Sequence, residues 1–268
     1  MSAQSEFRAS KKIKIKDADA DNKPLSSGDK EKDKLKVISL ATEIGLQQDL
    51  LYAGQHHKLL VVLQGIDTSG KDGAVKGVFS GVNPQGINIV GFKAPSTIEK
   101  AHDYLWRIHQ QVPQAGEMAV FNRSHYEDVL VTRVHDWIDD AECQRRYAQI
   151  RDFERMLAET GTTILKFLLH ISKGEQAIRL QERIDDPEKN WKFDPQDIEE
   201  RKSWDAYQDL FSSAIQATDA DHAPWYVIPA NSKTHRNLAI ASVVLETLQT
   251  LKLKPPAANP ALAKIKIV

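Results

Sequence analysis

Residues 59–73 read LLVVLQGIDTSGKDG, and the fold follows from how this stretch is read. Leu59, Leu60, Val61, Val62 and Leu63 form an unbroken aliphatic run, the pattern of a central parallel strand that helices cover on both faces. The run ends in a glycine loop. Gly65, Gly70 and Lys71 fit G-x-x-x-x-G-K, in which backbone N–H groups at a helix N-terminus cradle phosphate oxygens and the lysine offsets their charge. Gly65, Thr68, Ser69, Gly70, Asp72 and Gly73 are therefore candidate phosphate- or nucleotide-binding positions, with Lys76 further along the same helix. The usual Ser or Thr after the lysine is replaced by Asp72, and Asp67 lies inside the loop. Carboxylates beside phosphates repel them unless a divalent cation lies between, so Asp67 is a candidate magnesium ligand, directly or through water. The alternative is a glycine-rich strand-to-helix turn with no ligand. Ala74, Val75, Val78 and Phe79 supply the inner face of a following helix, the context a phosphate loop requires.

Outward from the loop, strands and helices alternate. Leu35 to Tyr52 carries apolar residues at helical spacing. INIVGFK at 87–93 reads as a second strand, Ile98 to Gln111 as a helical segment, and EMAVFNRS at 117–124 as a third strand. A charged helix at about Ala141–Glu159 precedes TTILKFLLHIS at 162–172. PWYVIPA at 224–230 is the fifth strand, and a last helix runs from about Thr234 to Leu251 before Pro255 and Pro256 end it. Five strands with helices between them predict an α/β, doubly wound parallel sheet whose ligands lie at the carboxyl ends of the strands. The expected organisation is a flexible, charged segment over 1–34, one catalytic domain over 35–254 and a tail over 255–268. The first segment is expected to be mobile or laid across the surface.

Composition excludes more than it selects. A formal net charge of −1 over 268 residues gives no global field for a polyanion, so phosphate recognition must come from local basic clusters in a cleft. One cysteine, Cys143, leaves no intrachain disulfide framework and no multi-cysteine metal site, consistent with a cytoplasmic setting. No apolar run approaches the ~20 residues that span a bilayer. Neither a membrane nor nucleic acid is an expected partner.

The third strand delivers Asn122, Arg123 and Ser124 to the edge that carries the glycine loop. Asn122 is a candidate metal ligand through its amide oxygen, and Arg123 is suited to bidentate phosphate contact or, alternatively, to a structural ion pair. Glu127 follows within one turn, as a site carboxylate or a helix-capping acid. Arg133 is expected to join Arg123, whereas His125 and His135 read as packing or surface residues. Ser172 to Phe193 has the pattern of a hinge-bounded lid: Arg179 and Arg183 share one helix face, and Lys189 and Lys192 follow a DP turn beside Trp191. An ordinary surface helix is the alternative. Lys233 and Arg236 add positive charge where the last helix begins, and Trp191, Trp204 and Trp225 are expected in the core.

The blocks LQGIDTSGKDG, FNRSHYEDVLVTRV, RLQERIDDPEKNWKF and APWYVIPANSKTHRN, in this order between about Leu35 and Leu251, resemble the polyphosphate kinase 2 family. That resemblance implies a P-loop kinase-like domain with a helical lid at about 172–193. It also implies reversible, magnesium-dependent transfer of the terminal phosphoryl group of inorganic polyphosphate to a nucleotide. Asp67 and Lys71 match the family's loop aspartate and lysine, Arg123 its arginine after the third strand, and Arg179 and Arg183 its lid arginines; these five are the expected catalytic residues. Many members have Asp where this chain has Asn122. The SHYE sequence ending at Glu127 is similar to the subgroup accepting nucleoside mono- and diphosphates, so AMP and ADP, with GMP and GDP as further candidates, are the implied acceptors. Homo-oligomers are implied as well. Two rival functions are an ATP-dependent kinase of a nucleoside monophosphate or other small acceptor, and a non-catalytic nucleotide- or polyphosphate-binding module.

Overall fold

The structure is a computed structural model describing residues 2–264 and residue 267. The expected tail over 255–268 therefore lies partly outside the described residues, as does Met1 of the N-terminal segment. In chain order the first half comprises α1 (Ala3–Phe7), α2 (Lys30–Gly54), β1 (Lys58–Gln64), α3 (Lys71–Val78), β2 (Ile87–Gly91), α4 (Thr97–Lys100), α5 (Trp106–His109) and β3 (Met118–Asn122). The second half comprises α6 (Val131–Val134), α7 (Asp140–Glu159), β4 (Thr162–His170), α8 (Lys173–Asp185), α9 (Gln196–Lys202), α10 (Trp204–Thr218), β5 (Trp225–Pro229) and α11 (Lys233–Thr250).

The five strands form one all-parallel sheet in the order β2-β3-β1-β4-β5. β1 lies at the centre, Leu59 pairing with Met118 on one side and Thr163 on the other. Leu59 to Leu63 are fully buried at every position, odd and even, because helices cover both faces. α2, α3 and α11 pack on one another, while α7 packs on β4 and α10. Since β1 is flanked by β3 and β4, the chain reverses direction across the sheet beside it. The loops after β1 and β3 therefore open into one crevice.

Two expectations change, and a third resolves to one of its alternatives. The stretch 98–111 is not one helix: α4 and α5 are single turns separated by Ala101–Leu105, and Asp103, whose carboxylate accepts from the Leu105 N–H, turns the chain there. The N-terminal segment, expected to be mobile or laid across the surface, is laid across the molecule and anchored there. Phe7 and Ile15 are buried, the Ala9 N–H donates to Trp225 O at 2.9 Å, and the Asp17 carboxylate accepts from Lys173 N and Trp204 Nε1. Its charged composition hid the few apolar residues that seat it. Trp204 and Trp225 are core residues as expected, but Trp191 is 78% exposed. No helix of the described residues is long and apolar enough to cross a membrane.

Candidate active site

The glycine loop leaves β1 at Gly65 and enters α3 at Gly70, and both glycines are required. Gly65 has φ +149°, and a Cβ there would sit 2.6 Å from Leu169 O; Gly70 has φ +95°, a backbone conformation that residues other than glycine rarely adopt. α3 begins without a side-chain cap, so its first N–H groups are left for a ligand. The hydroxyls of Thr68 and Ser69 are buried with no hydrogen-bond partner among the described residues. Buried polar groups are rarely orphaned, and a phosphate oxygen in the loop would satisfy them.

Lys71 is buried and folds back over the loop, donating to Gly65 O at 2.6 Å and Ile66 O at 3.3 Å. Burial pulls its pKa below the usual lysine value, against the opposing field of Asp67. Asp67 accepts from Arg123 at 2.5 Å. Burial alone would raise the Asp67 pKa, but Lys71, Arg123 and Arg183 outweigh it and hold the carboxyl below its ordinary range. Arg123 takes φ +65° and Thr68 φ +66°. Left-handed backbone costs a non-glycine residue roughly 1–2 kcal/mol, so strained residues stand on both sides of the site. The sequence reading expected these three side chains to converge, and the structure brings them together.

Around them lies a cleft of about 660 Å³. Its cationic lining is Lys71, Lys93, Arg123, Arg179, Arg183, Lys189, Lys192, Lys233 and Arg236, against the carboxylates of Asp67, Asp72, Glu182, Asp194 and Asp197. Nine cations to five carboxylates give a near-neutral protein a local positive surface for a chain of phosphates. Arg236 is 3% exposed and, among the described residues, bonds only to the Asn237 amide oxygen, with no carboxylate in contact. Burial, then the nearby Arg179, lowers its pKa to about 10. A buried cation with no carboxylate beside it among the described residues is a candidate anion subsite. A second chamber of about 240 Å³ adjoins the cleft at Asp67 and Arg123 and is lined by Glu127, Leu130, Val131, Glu200, Tyr207 and Phe211 among others. Glu127 is half-buried there, and burial raises its pKa despite the opposing Arg123 and Lys71.

The remaining expected residues divide between the cleft and other positions. Arg179 lies 5% exposed under the loop, its Nη1 donating to Thr68 O, its Nη2 to Ala230 O and Asn231 O, and its Nε to Glu175. It braces the glycine loop against the turn after β5. Arg183 reaches the cleft from α8 and bonds Lys192 O and Asp197. Arg133 does not join Arg123: it lies within α6, its guanidinium held by Asp136 and Asp140, and it is absent from the linings of both the cleft and the adjoining chamber. Lys76 is exposed on α3 and absent from the cleft lining. The Asn122 side-chain NH2 donates to Asp72 at 2.6 Å, so these two residues form a pair beside the loop, with the Asn122 Oδ1 left without a partner among the described residues. Sequence reasoning missed Lys93, Asp197, Glu200, Tyr207 and Phe211. No motif marks them, but a lysine just past the end of β2 and polar residues just past the lid are positions a strand-edge argument reaches.

A family model described as Polyphosphate kinase 2 matches residues 27–256. An AMP/ADP-polyphosphate phosphotransferase of Meiothermus ruber is 49% identical over 256 residues, covering 96% of this chain and 96% of that protein. An ADP-polyphosphate phosphotransferase of Rhodopseudomonas palustris is 43% identical over 229 residues, covering 81% and 79%. The crystal structure of polyphosphate kinase 2 from Arthrobacter aurescens superposes with a TM-score of 0.95 at 42% identity, covering 98% of this chain and 95% of that one.

Proposed function

Because the chain belongs to the polyphosphate kinase 2 family, we propose that it transfers the terminal phosphoryl group of inorganic polyphosphate to AMP and ADP. The observation that carries the proposal is the meeting of Asp67, Lys71 and Arg123 at the mouth of one cation-lined cleft. Transfer breaks the last P–O–P bond of the donor and forms a new one to the acceptor's terminal phosphate. The attacking oxygen is already anionic near neutral pH, so the protein has little base catalysis to supply. Its task is to align two polyanions and stabilise the charge of the transferring group. Lys71 and Arg123 serve that charge, Arg236 and the loop N–H groups hold the donor chain, and Arg183 and Lys192 close the cleft from the α8 side. Arg179 contributes by fixing the loop's shape.

The residues present fit magnesium. Asp67, Asp72 and the Asn122 amide are hard oxygen donors. Among the described residues no three His, Cys, Asp or Glu side chains form a ready-made metal group. That is the donor set of an ion carried largely by substrate phosphates, with one or two protein oxygens completing it. Asp67 and Asn122 would hold it, and the ion would neutralise charge building on the phosphate oxygens.

Incubating the protein with polyphosphate and AMP, ADP, GMP or GDP, with and without magnesium and without ATP, tests the reading. New ADP or ATP that requires magnesium supports it, and no product with any acceptor refutes it. Production of phosphorylated acceptor only when ATP is the donor would instead establish an ATP-dependent kinase. Self-assembly belongs to the same proposal and rests on the family resemblance. Light scattering checks it, a monomer mass being the contrary result.

A further inference from the structure

Arg123 and Glu127 leave β3 on one short turn, whose upper side faces the reacting groups and whose underside is docked on something that composition does not explain. Ser124, His125 and Tyr126 point away from the cleft and are fully buried. Beneath them lies an ion pair between Glu154 of α7 and Lys166 of β4, 2.6 Å apart and 1% and 0% exposed. Lys166 uses all three of its donors, on Glu154 Oε2, the Tyr126 hydroxyl at 3.0 Å and Thr218 O at 2.9 Å. The other Glu154 oxygen lies 2.9 Å from the Tyr126 hydroxyl and 3.2 Å from His125 Nε2. His125 Nδ1 has no partner, so the tautomer that donates from Nε2 to Glu154 leaves only an acceptor unsatisfied.

A buried charge pair is no cheaper than the apolar pair that would pack α7 on β4 equally well, so stability does not account for it. What it supplies is direction. Apolar side chains would leave the turn free to slide, whereas these bonds fix the phenol and the imidazole at defined points. Fixing both fixes the backbone between Arg123, in its left-handed conformation, and Glu127. Burial opposes ionisation of Glu154, but Lys166 outweighs it and keeps the carboxylate charged.

We infer that Glu154, through Tyr126 and His125, is a positioning residue that holds Arg123 and Glu127 in register with Asp67 and Lys71. The inference rests on the proposed phosphoryl transfer only for its kinetic form. The Glu154→Gln protein, confirmed folded by circular dichroism, should lose tenfold or more in kcat, with KM for polyphosphate within about threefold, as expected for an interaction formed only in the transition state. Combined with Arg123→Lys, the same substitution should cost less than threefold, because the residue it positions is already changed. Tyr126→Phe removes one hydroxyl of the network and carries the same expectations should Glu154→Gln not fold. A purely structural role would lower the melting temperature and leave kcat per folded molecule within twofold, or would give equal losses in both backgrounds; either result overturns the inference. Crystal structures of the variants read it without an assay, so an inactive wild type would count against the proposed function alone. Arg123 should leave its contact with Asp67, and an unchanged contact overturns the positioning role.

Discussion

Arg179→Ala separates two roles that look alike in an activity assay. A lid arginine that closes on phosphate can be removed with little effect on the resting fold, whereas the structure makes Arg179 a brace. Its guanidinium satisfies Thr68 O, Ala230 O and Asn231 O, all beneath the glycine loop. Hydrogen bonds from a charged donor are worth about 1.5–3 kcal/mol each. Water entering from the cleft would recover part of that, and relief of repulsion with Arg236 more, so a net loss of about 3–5 kcal/mol is expected, the scale for breaking a buried charged network. For a chain of this size ~1 kcal/mol shifts Tm by about 2–4 °C, giving a fall of roughly 6–20 °C. Calorimetry in the absence of ligand measures it. Arg183→Ala is the control: that side chain is 23% exposed and pairs with Asp197, so Tm should change little while turnover falls. If Arg179→Ala kept its Tm within about 2 °C of wild type yet lost activity, the brace would be wrong and the closing-lid role expected from sequence would be right.

Lys71→Ala and Asp67→Ala should each reduce kcat by about 10²- to 10³-fold in a steady-state assay, the usual cost of removing a preorganised group, while Arg133→Ala, outside the cleft, should be silent. Arg236→Gln should leave Tm of the ligand-free protein unchanged or raised, since a desolvated cation without a carboxylate is removed, but should shrink the Tm increase produced by added triphosphate; an equal increase in both proteins would remove Arg236 from the anion subsite. The raised pKa of Glu127 means that its charged form is lost as pH falls through a value above its ordinary 4.5. Activity that depends on that charge should therefore have an acid limb, and in Glu127→Gln the limb should move to lower pH; superimposable pH–rate profiles would show that Glu127 does not titrate in turnover.

Much of this was legible in the chain because short-range chemistry wrote it. The aliphatic run at Leu59–Leu63 demanded a two-sided sheet, and the spacing Gly65, Gly70, Lys71 fixed where the strand ends and which way the helix dipole points. Asp67 beside that lysine announced a charged site, and Asn122–Arg123 at the end of another apolar strand placed its partner. The side chains whose contacts sequence reasoning did not reach owe them to long-range packing. Arg179 has helical spacing with Arg183, but only tertiary structure reveals that it points under the loop. Arg133 stands in a favourable block, yet Asp136 and Asp140, further along the chain, hold its guanidinium away from the cleft. The N-terminal segment looked like a solvated tail because a handful of anchors, Phe7, Ile15 and Asp17 among them, count for little in composition and much in contact.

In the proposed reaction the donor is a phosphate chain laid along the cations between Arg236 and Lys192, with the acceptor delivered to Arg123. Polyphosphate, ADP and magnesium, free of ATP, should yield ATP at a rate that falls at least a hundredfold when Lys71 is changed to Ala. Absence of ATP from the wild-type reaction, or undiminished ATP from the Lys71→Ala protein, would contradict it.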